Sequence, residues 1–248
     1  MGERRTAIVT GAAGGVGQAV VRVLAARGYD LVVTDVNEAV EDLTATTSGA
    51  EVVAEVADVR DPRTASTVVE RAMHRFGGLD LLVNNAGRFL RKSILETSDD
   101  DFDALFAINA RAAFTFVRAA VPALRATRGS IVNVASTSGL AGVTGQTVYA
   151  MTKGAIVQLT RQQAIEQAAH GVRVNAVAPG AIDTDFTAEA NAGDPDPETT
   201  RAVSLARHPI GRYSTAQEVA EAIGFLASDA ASGITGAILS VDGGYTAQ

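Results

Sequence analysis

Tyr149-Ala150-Met151-Thr152-Lys153 sets a phenol and an ammonium four positions apart, and Ser136 stands thirteen positions upstream. On a helix, residues four apart share one face, a turn from each other. A cation so placed favours the deprotonated form of a phenol, which otherwise loses its proton near pH ~10. Such a phenol can take a proton from a carbinol or return one to a carbonyl oxygen, and a nearby serine can hold that oxygen. The chain has four Tyr and only two Lys, Lys92 and Lys153, against nineteen Arg. A Lys kept here in an Arg-rich chain suggests a need for a compact ammonium rather than a planar fork. The competing reading is a surface helical pair with no role.

These groups need rigid elements to bring them together. Short apolar, β-branched runs alternate with longer amphipathic stretches, the mark of βαβ units and a parallel sheet. Strands are expected at Thr6–Thr10, Leu31–Asp35, Glu51–Ala57, Leu79–Asn84, Ser130–Ala135, Val172–Ala178 and Ile238–Val241. Helices are expected at about 15–28, 37–46, 62–76, 99–125, 147–169 and 215–227. Ser98 before Asp99, Asp100 and Asp101 reads as a helix start, and Thr215 with Glu218 as a capping box. The expectation is one α/β domain over residues 1–248: a doubly wound, Rossmann-type, mostly parallel seven-stranded sheet with helices on both faces. The polar stretch Asn191–Thr200 lies inside the largest insertion between strands and reads as part of a substrate loop or lid at about 182–213.

Thr10-Gly11-Ala12-Ala13-Gly14-Gly15-Val16-Gly17 follows the first strand and opens the first helix. Glycines there let a pyrophosphate approach the backbone, and the helix start offers unpaired N–H donors. Gln18, rather than Lys followed by Ser or Thr, excludes a P-loop. Asp35 ends the second strand eighteen residues beyond Gly17, where a carboxylate can accept from both adenosine ribose hydroxyls. It would repel a 2′-phosphate, and no Arg or Lys in residues 11–18 or 36–37 offsets it. The cofactor expected is NAD(H) rather than NADP(H).

Composition narrows the remaining classes. With a net charge of −7 and no basic block, nucleic acid is not an expected partner. Cysteine is absent, which excludes disulfides, thiol catalysis and Cys-ligated metal sites. His74, His170 and His208 are scattered without ligand spacing, so each is read as structural and no metal is expected. No apolar run approaches the roughly 20 residues of a membrane span, and no signal segment follows Met1. The chain is read as cytoplasmic, with no membrane partner.

Taken together these residues resemble the short-chain dehydrogenase/reductase family, in its shorter single-domain form, over essentially all 248 positions. Thr10–Gly17 is similar to the family's TGxxxGxG cofactor motif. Asp58-Val59 is similar to its acidic position beside the adenine, and Asn84-Asn85-Ala86-Gly87 to its NNAG segment. Pro179-Gly180-Ala181-Ile182-Asp183-Thr184 resembles the segment that closes over the nicotinamide, and Asp242-Gly243-Gly244 the usual C-terminal turn. The resemblance extends cofactor contact to Val36, Asp58, Val59, Asn85, Ala86 and Gly87, and to Pro179, Gly180, Ile182 and Thr184. It places Asn109, Ser136, Tyr149 and Lys153 on the catalytic tetrad. Lys153 would also bind the nicotinamide ribose, and the Asn109 backbone would hold a water linking Lys153 to solvent. Alternatively, Asn109 is only a polar kink in a long helix. The family implies a homotetramer built through the two long central helices and the last strand.

The expected reaction is hydride exchange between a secondary alcohol and its ketone, on a small-molecule substrate. Alternatives are a 3-oxoacyl-[acyl-carrier-protein] reductase, with His170 and Arg128 as docking groups, and a regulator that binds NAD(H) without turnover. Asp35 and the acidic balance weigh against the first, and the intact tetrad against the second. Substrate contacts are expected from Ser138, Gln146 and Phe186. Phe89, Leu90 and Val143 suggest an apolar pocket, and Arg88 is a candidate for an anionic group.

Overall fold

Seven runs rich in Val, Ile and Leu, with Gly, Asp or Asn near their ends, form the strands of one sheet. The computed structural model describes residues 4–45, 49–183 and 196–248. The strands are β1 (Arg5–Thr10), β2 (Tyr29–Asp35), β3 (Val52–Val56), β4 (Leu81–Asn84), β5 (Ser130–Val134), β6 (Arg173–Pro179) and β7 (Ile238–Val241). They pair in the order β3-β2-β1-β4-β5-β6-β7, and every pairing is parallel. Parallel neighbours require crossovers, which the helices supply on both faces. The doubly wound seven-stranded sheet is therefore as expected, with no antiparallel member among these strands.

Alternation along β1 divides the core. Ala7 and Val9 face a layer with Val20 and Leu24 of α1 (Gly15–Ala26) and Ile223 and Leu226 of α7 (Ala216–Ala227). Ile8 faces the other layer, with Val68 of α2 (Pro62–Phe76) and Phe116 and Leu124 of α4 (Ala112–Thr127). All these side chains are fully buried or nearly so. Because both faces are covered, the strands read as continuous apolar runs.

Two helical expectations are corrected. The segment 37–46 is a 3-10 helix, Glu38–Ala45. Asn37 N–H donates to Asp35 Oδ1 and Ala39 N–H to Asn37 Oδ1, each 3.0 Å, so side chains take the first donors that an α-helix would use. The buried residues Val40 and Leu43 are three apart, a spacing that eclipses in a 3-10 turn. The expected helix 99–125 runs from 99 to 127 but is interrupted: α3 (Asp99–Phe106) passes into a π-helical turn, Ala107–Arg111, before α4. That whole helix is long and apolar enough to cross a membrane by length and composition, contrary to the sequence expectation. Here its second half packs on the sheet over β4 and β5, beside α2.

The helix carrying the Tyr–Lys pair is α5 (Thr147–Ala168). Its buried stripe runs through Tyr149, Thr152, Lys153, Ile156, Val157, Thr160 and Ala164, so half of its inward face is polar. A buried amide ladder fixes its register against the sheet. Asn84 Nδ2 donates to Asn133 Oδ1 (2.8 Å), and Asn133 Nδ2 donates to Thr160 Oγ1 (2.9 Å). The polar stretch after residue 195 ends in α6 (Pro197–Ala206), where Asp196 accepts from Thr199 N–H at 3.1 Å and Pro197 starts the helix.

Glycine geometry gives a stability test. A Cβ on Gly129 would run into the backbone carbonyl of Asp80, whereas one on Gly154, inside α5, meets nothing within 4 Å. Gly129→Ala is expected to destabilise by about 1–3 kcal/mol, and Gly154→Ala to stabilise by roughly 0.5–1 kcal/mol. Urea denaturation of the two variants beside the parent checks both signs.

Candidate active site

The carboxyl ends of five strands open into one cleft of about 290 Å³. Gly11 follows β1, Asp35 ends β2, Asn85 follows β4, Ser136 follows β5 and Gly180 follows β6, and each lines it. β1 lies between β2 and β4, which is where the strand order reverses and where α/β sheets form a crevice.

At one end is the glycine turn. Gly11 has φ +65°, and a Cβ there would lie 2.7 Å from Ala86 Cα. A Cβ on Gly17 would collide with the Gly11 carbonyl, so the turn closes only without side chains at these positions. Asn85 locks it: Nδ2 donates to Thr10 O (3.0 Å) and Gly11 O (2.8 Å). The N-cap of α1 is Gly14, which supplies no side-chain acceptor, and the first turn carries no acidic residue. The first N–H groups of α1 are left for another acceptor. Asp35 accepts from Ala13 N–H through Oδ2 and from Asn37 N–H through Oδ1, each 3.0 Å.

At the other end, Tyr149 and Lys153 are almost inaccessible. The Lys153 ammonium lies 5.8 Å from the Tyr149 ring centroid and donates to Val134 O at 2.8 Å. Phe89 packs edge-on against Tyr149, with centroids 4.8 Å apart. Burial pushes the Tyr149 phenol up to about 12, with the facing Ser136 hydroxyl pulling the other way. Burial pushes Lys153 down to about 8. The lowering of the phenol expected from its lysine is not seen in the protein alone, where loss of hydration outweighs the Ser136 hydrogen bond.

Asn109 lies in the π-helical turn and acts with its side chain. Oδ1 accepts from Arg88 N–H (2.8 Å), and Nδ2 donates to Arg88 O (2.9 Å) and Thr152 Oγ1 (3.1 Å). It clamps the loop after β4 to α5 from beneath, near Gly87, whose Cβ would lie 3.3 Å from Asn109 Oδ1 and 3.5 Å from Lys153 Nζ. Ser138 Oγ donates to Gln146 Oε1 at 2.6 Å, and both line the cleft.

The remaining candidates divide. Gly14, Gly15, Val16, Ala86, Gly87, Pro179 and Ile182 line the cleft with the groups above. Val36 is exposed beside it, Val59 is half-buried against the core, and Asp58 is held by Arg60, with Arg60 Nη2 2.6 Å from Asp58 Oδ2. That guanidinium keeps the Asp58 carboxyl below its ordinary range. Thr184 and Phe186 lie outside the described residues. Arg91, rather than Arg88, lines the cleft. His208, read from sequence as a structural residue in a loop, is buried and also lines the cleft with Ser204 and Tyr245. Only its place before Pro209 marked it in the sequence, and that signals a turn, not a site.

Comparison with known proteins agrees with this arrangement. A family profile described as Enoyl-(Acyl carrier protein) reductase matches residues 11–246. The cis-4-hydroxycyclohexanecarboxylate dehydrogenase of Sinomonas cyclohexanicum is 42% identical over 100% of both chains. The 3-oxoacyl-[acyl-carrier-protein] reductase FabG of Thermotoga maritima is 36% identical over 98% of each. Among solved structures, levodione reductase superposes with a TM-score of 0.93 at 34% identity, covering 98% of both chains. With a glycine turn, a Tyr–Lys helix and a serine meeting at one sheet edge, the chain belongs to the short-chain dehydrogenase/reductase family.

Proposed function

We propose that this chain is an NAD(H)-dependent oxidoreductase that interconverts a secondary alcohol and its ketone, with Tyr149 as the acid/base group. The observation that carries the reading is the junction of Ser136, Tyr149 and Lys153 in the same cleft as the uncapped start of α1.

The donor set suits a dinucleotide. The free N–H groups of α1 suit a pyrophosphate. Asp35 uses one contact on each oxygen and keeps further lone pairs for ribose hydroxyls. Its charge opposes a 2′-phosphate, which favours NAD(H). Val36 offers an exposed apolar surface at the adenosine end. A bound nicotinamide supplies or accepts the hydride. Tyr149 takes the carbinol proton in oxidation and returns one to the carbonyl oxygen in reduction. Ser136 donates to that same oxygen and fixes its place. Lys153, anchored on Val134 O, favours phenolate and has donors left for the nicotinamide ribose. With the phenol near 12 in the protein alone, Tyr149 would need a further positive charge nearby to ionise, which an oxidised nicotinamide would supply when bound.

The substrate end has Phe89 and Val143 as apolar wall and the Ser138–Gln146 pair as polar contact. That mixture suits a compact ring, in keeping with the hydroxycyclohexanecarboxylate named for a relative. The carrier-protein reductase reading is supported by the Thermotoga relative. Against it, Arg128 and Gly171 line a cavity at the amino ends of β1, β5 and β6, at the opposite end of the strands from the cleft. Exposed Phe114 on α4 and Met151 and Ile165 on α5 support a homotetramer through the central helices, and a cytoplasmic setting suits such an assembly.

Tyr149→Phe is expected to lower kcat by about 10²–10⁴-fold while leaving NADH affinity nearly unchanged; retained turnover would sink the assignment. The unaltered enzyme is expected to favour NADH over NADPH by about 100-fold in kcat/KM, a like-charge cost of about 3 kcal/mol, and Asp35→Asn to narrow that ratio at least ~10-fold. Preference for NADPH would contradict the role given to Asp35. Lys153 has a folded value near 8, below its ordinary 10.5, so its contribution to stability is present above pH 10.5 and lost as pH falls toward 8. In cofactor-free protein, Lys153→Met should therefore gain stability relative to the parent between those limits, by up to about 3 kcal/mol. Urea midpoints across that pH range measure it.

A further inference from the structure

His208 sits where three parts of the site meet. Its ring is 3% exposed and lines the cleft. Nδ1 lies 2.8 Å from the carbonyl of Ser204 in the last turn of α6, and a carbonyl only accepts, so Nδ1 carries the proton. Nε2 then holds the lone pair, and it accepts from the backbone N–H of Ala181 at 3.4 Å. Tyr213 and Tyr245 brace the ring, with centroids 5.3 and 5.2 Å away. A Cβ on Gly180 would lie 2.9 Å from Nε2, so the backbone turn after β6 rests on the imidazole edge.

Other backbone bonds hold this turn on either side. Gly180 N–H donates to Val241 O at 3.2 Å, Ser214 N–H to Ala181 O at 3.1 Å, and Asp183 N–H to Ser214 O at 3.2 Å. The Ala181 N–H, between them, is met by a side chain. We propose that His208 is a positioning residue. Through Nε2 it sets the shape of the Gly180–Ile182 turn that walls the cleft, and through Nδ1 it joins that turn to α6. The proposal rests on the reading of this cleft as a nicotinamide site, and it adds the group that shapes one wall.

The two ring nitrogens have separable jobs, which makes the proposal testable. A glutamine reaches about as far as Nε2 and can accept from Ala181 N–H. An asparagine reaches about as far as Nδ1 and can donate to Ser204 O but leaves Ala181 unmet. NADH affinity by fluorescence titration, kcat, KM and Tm are measured for His208→Gln, His208→Asn and the parent. His208→Gln is expected to bind NADH within about threefold of the parent. His208→Asn is expected to bind about tenfold more weakly, the equivalent of one lost hydrogen bond, with KM for NADH rising more than kcat falls. Hydrogen exchange in the cofactor-free proteins reads the turn directly: the peptide containing Ala181 should exchange faster in His208→Asn than in His208→Gln.

Equal NADH affinity and equal Ala181 exchange in the two variants would overturn the proposal, whatever their Tm values. A parent protein that binds neither NADH nor NADPH would overturn the cofactor reading and leave Ala181 exchange to decide the role of His208 in the turn. Ala181 exchange that still differed there would show that only the cofactor reading, and not the shaping of the turn, had been misjudged.

Discussion

An ammonium taken out of water governs this site. Lys153 is nearly inaccessible, and burial of an unpaired charge costs several kcal/mol unless polar groups receive it. Val134 O receives it at the end of β5. Around that anchor, Gly87 leaves room, Asn109 supports the loop above and Thr152 Oγ1 donates to Tyr149 O at 2.8 Å. Held so far inside, the lysine keeps its charge less firmly than a surface lysine. The same dry surroundings hold the proton on the phenol.

The rest of the fold keeps these groups in register. The amide ladder from Asn84 through Asn133 to Thr160 ties α5 to β4 and β5 eleven residues beyond Tyr149. Asn85 does the corresponding work for the glycine turn, and Thr10 Oγ1 accepts from Asn85 N–H (3.1 Å) and Ala86 N–H (3.0 Å). Both ends of the cleft are thereby fixed to the same central strands. In a parallel sheet buried on both faces, such polar ties add precision that apolar packing alone does not, although Asn84 Oδ1 at the end of the ladder is buried without a partner among the described residues.

Much of this was legible in the sequence. Apolar runs marked the strands, caps at Ser98 and Thr215 marked helix starts, and both form capping boxes in the fold. The glycine turn, Asp35 and the Tyr–Lys pair, singled out by residue type at fixed local spacing, do line one cleft. Less legible was whatever depends on contacts distant in sequence. His208 meets Ala181 twenty-seven positions away, and Asn109 meets Arg88 across twenty-one. The short helix after Asp35 was misjudged because side-chain acceptors there compete with the backbone. The phenol's upward shift was missed because spacing shows the neighbour but not the depth at which both lie.

The wide turn at Ala107–Arg111 gives chain length a part in the chemistry. One extra residue per turn offsets the two halves of a helix by about 100°. Leu105 can therefore pack beside Val148 and Tyr149 while Phe116 points into the sheet, and Asn109 lands between them, directed at the loop after β4. A regular helix could satisfy one of these faces but not both. Trimming a single residue from this stretch would rotate either the wall behind the phenol or the core beneath the sheet out of place, even with every reactive side chain preserved.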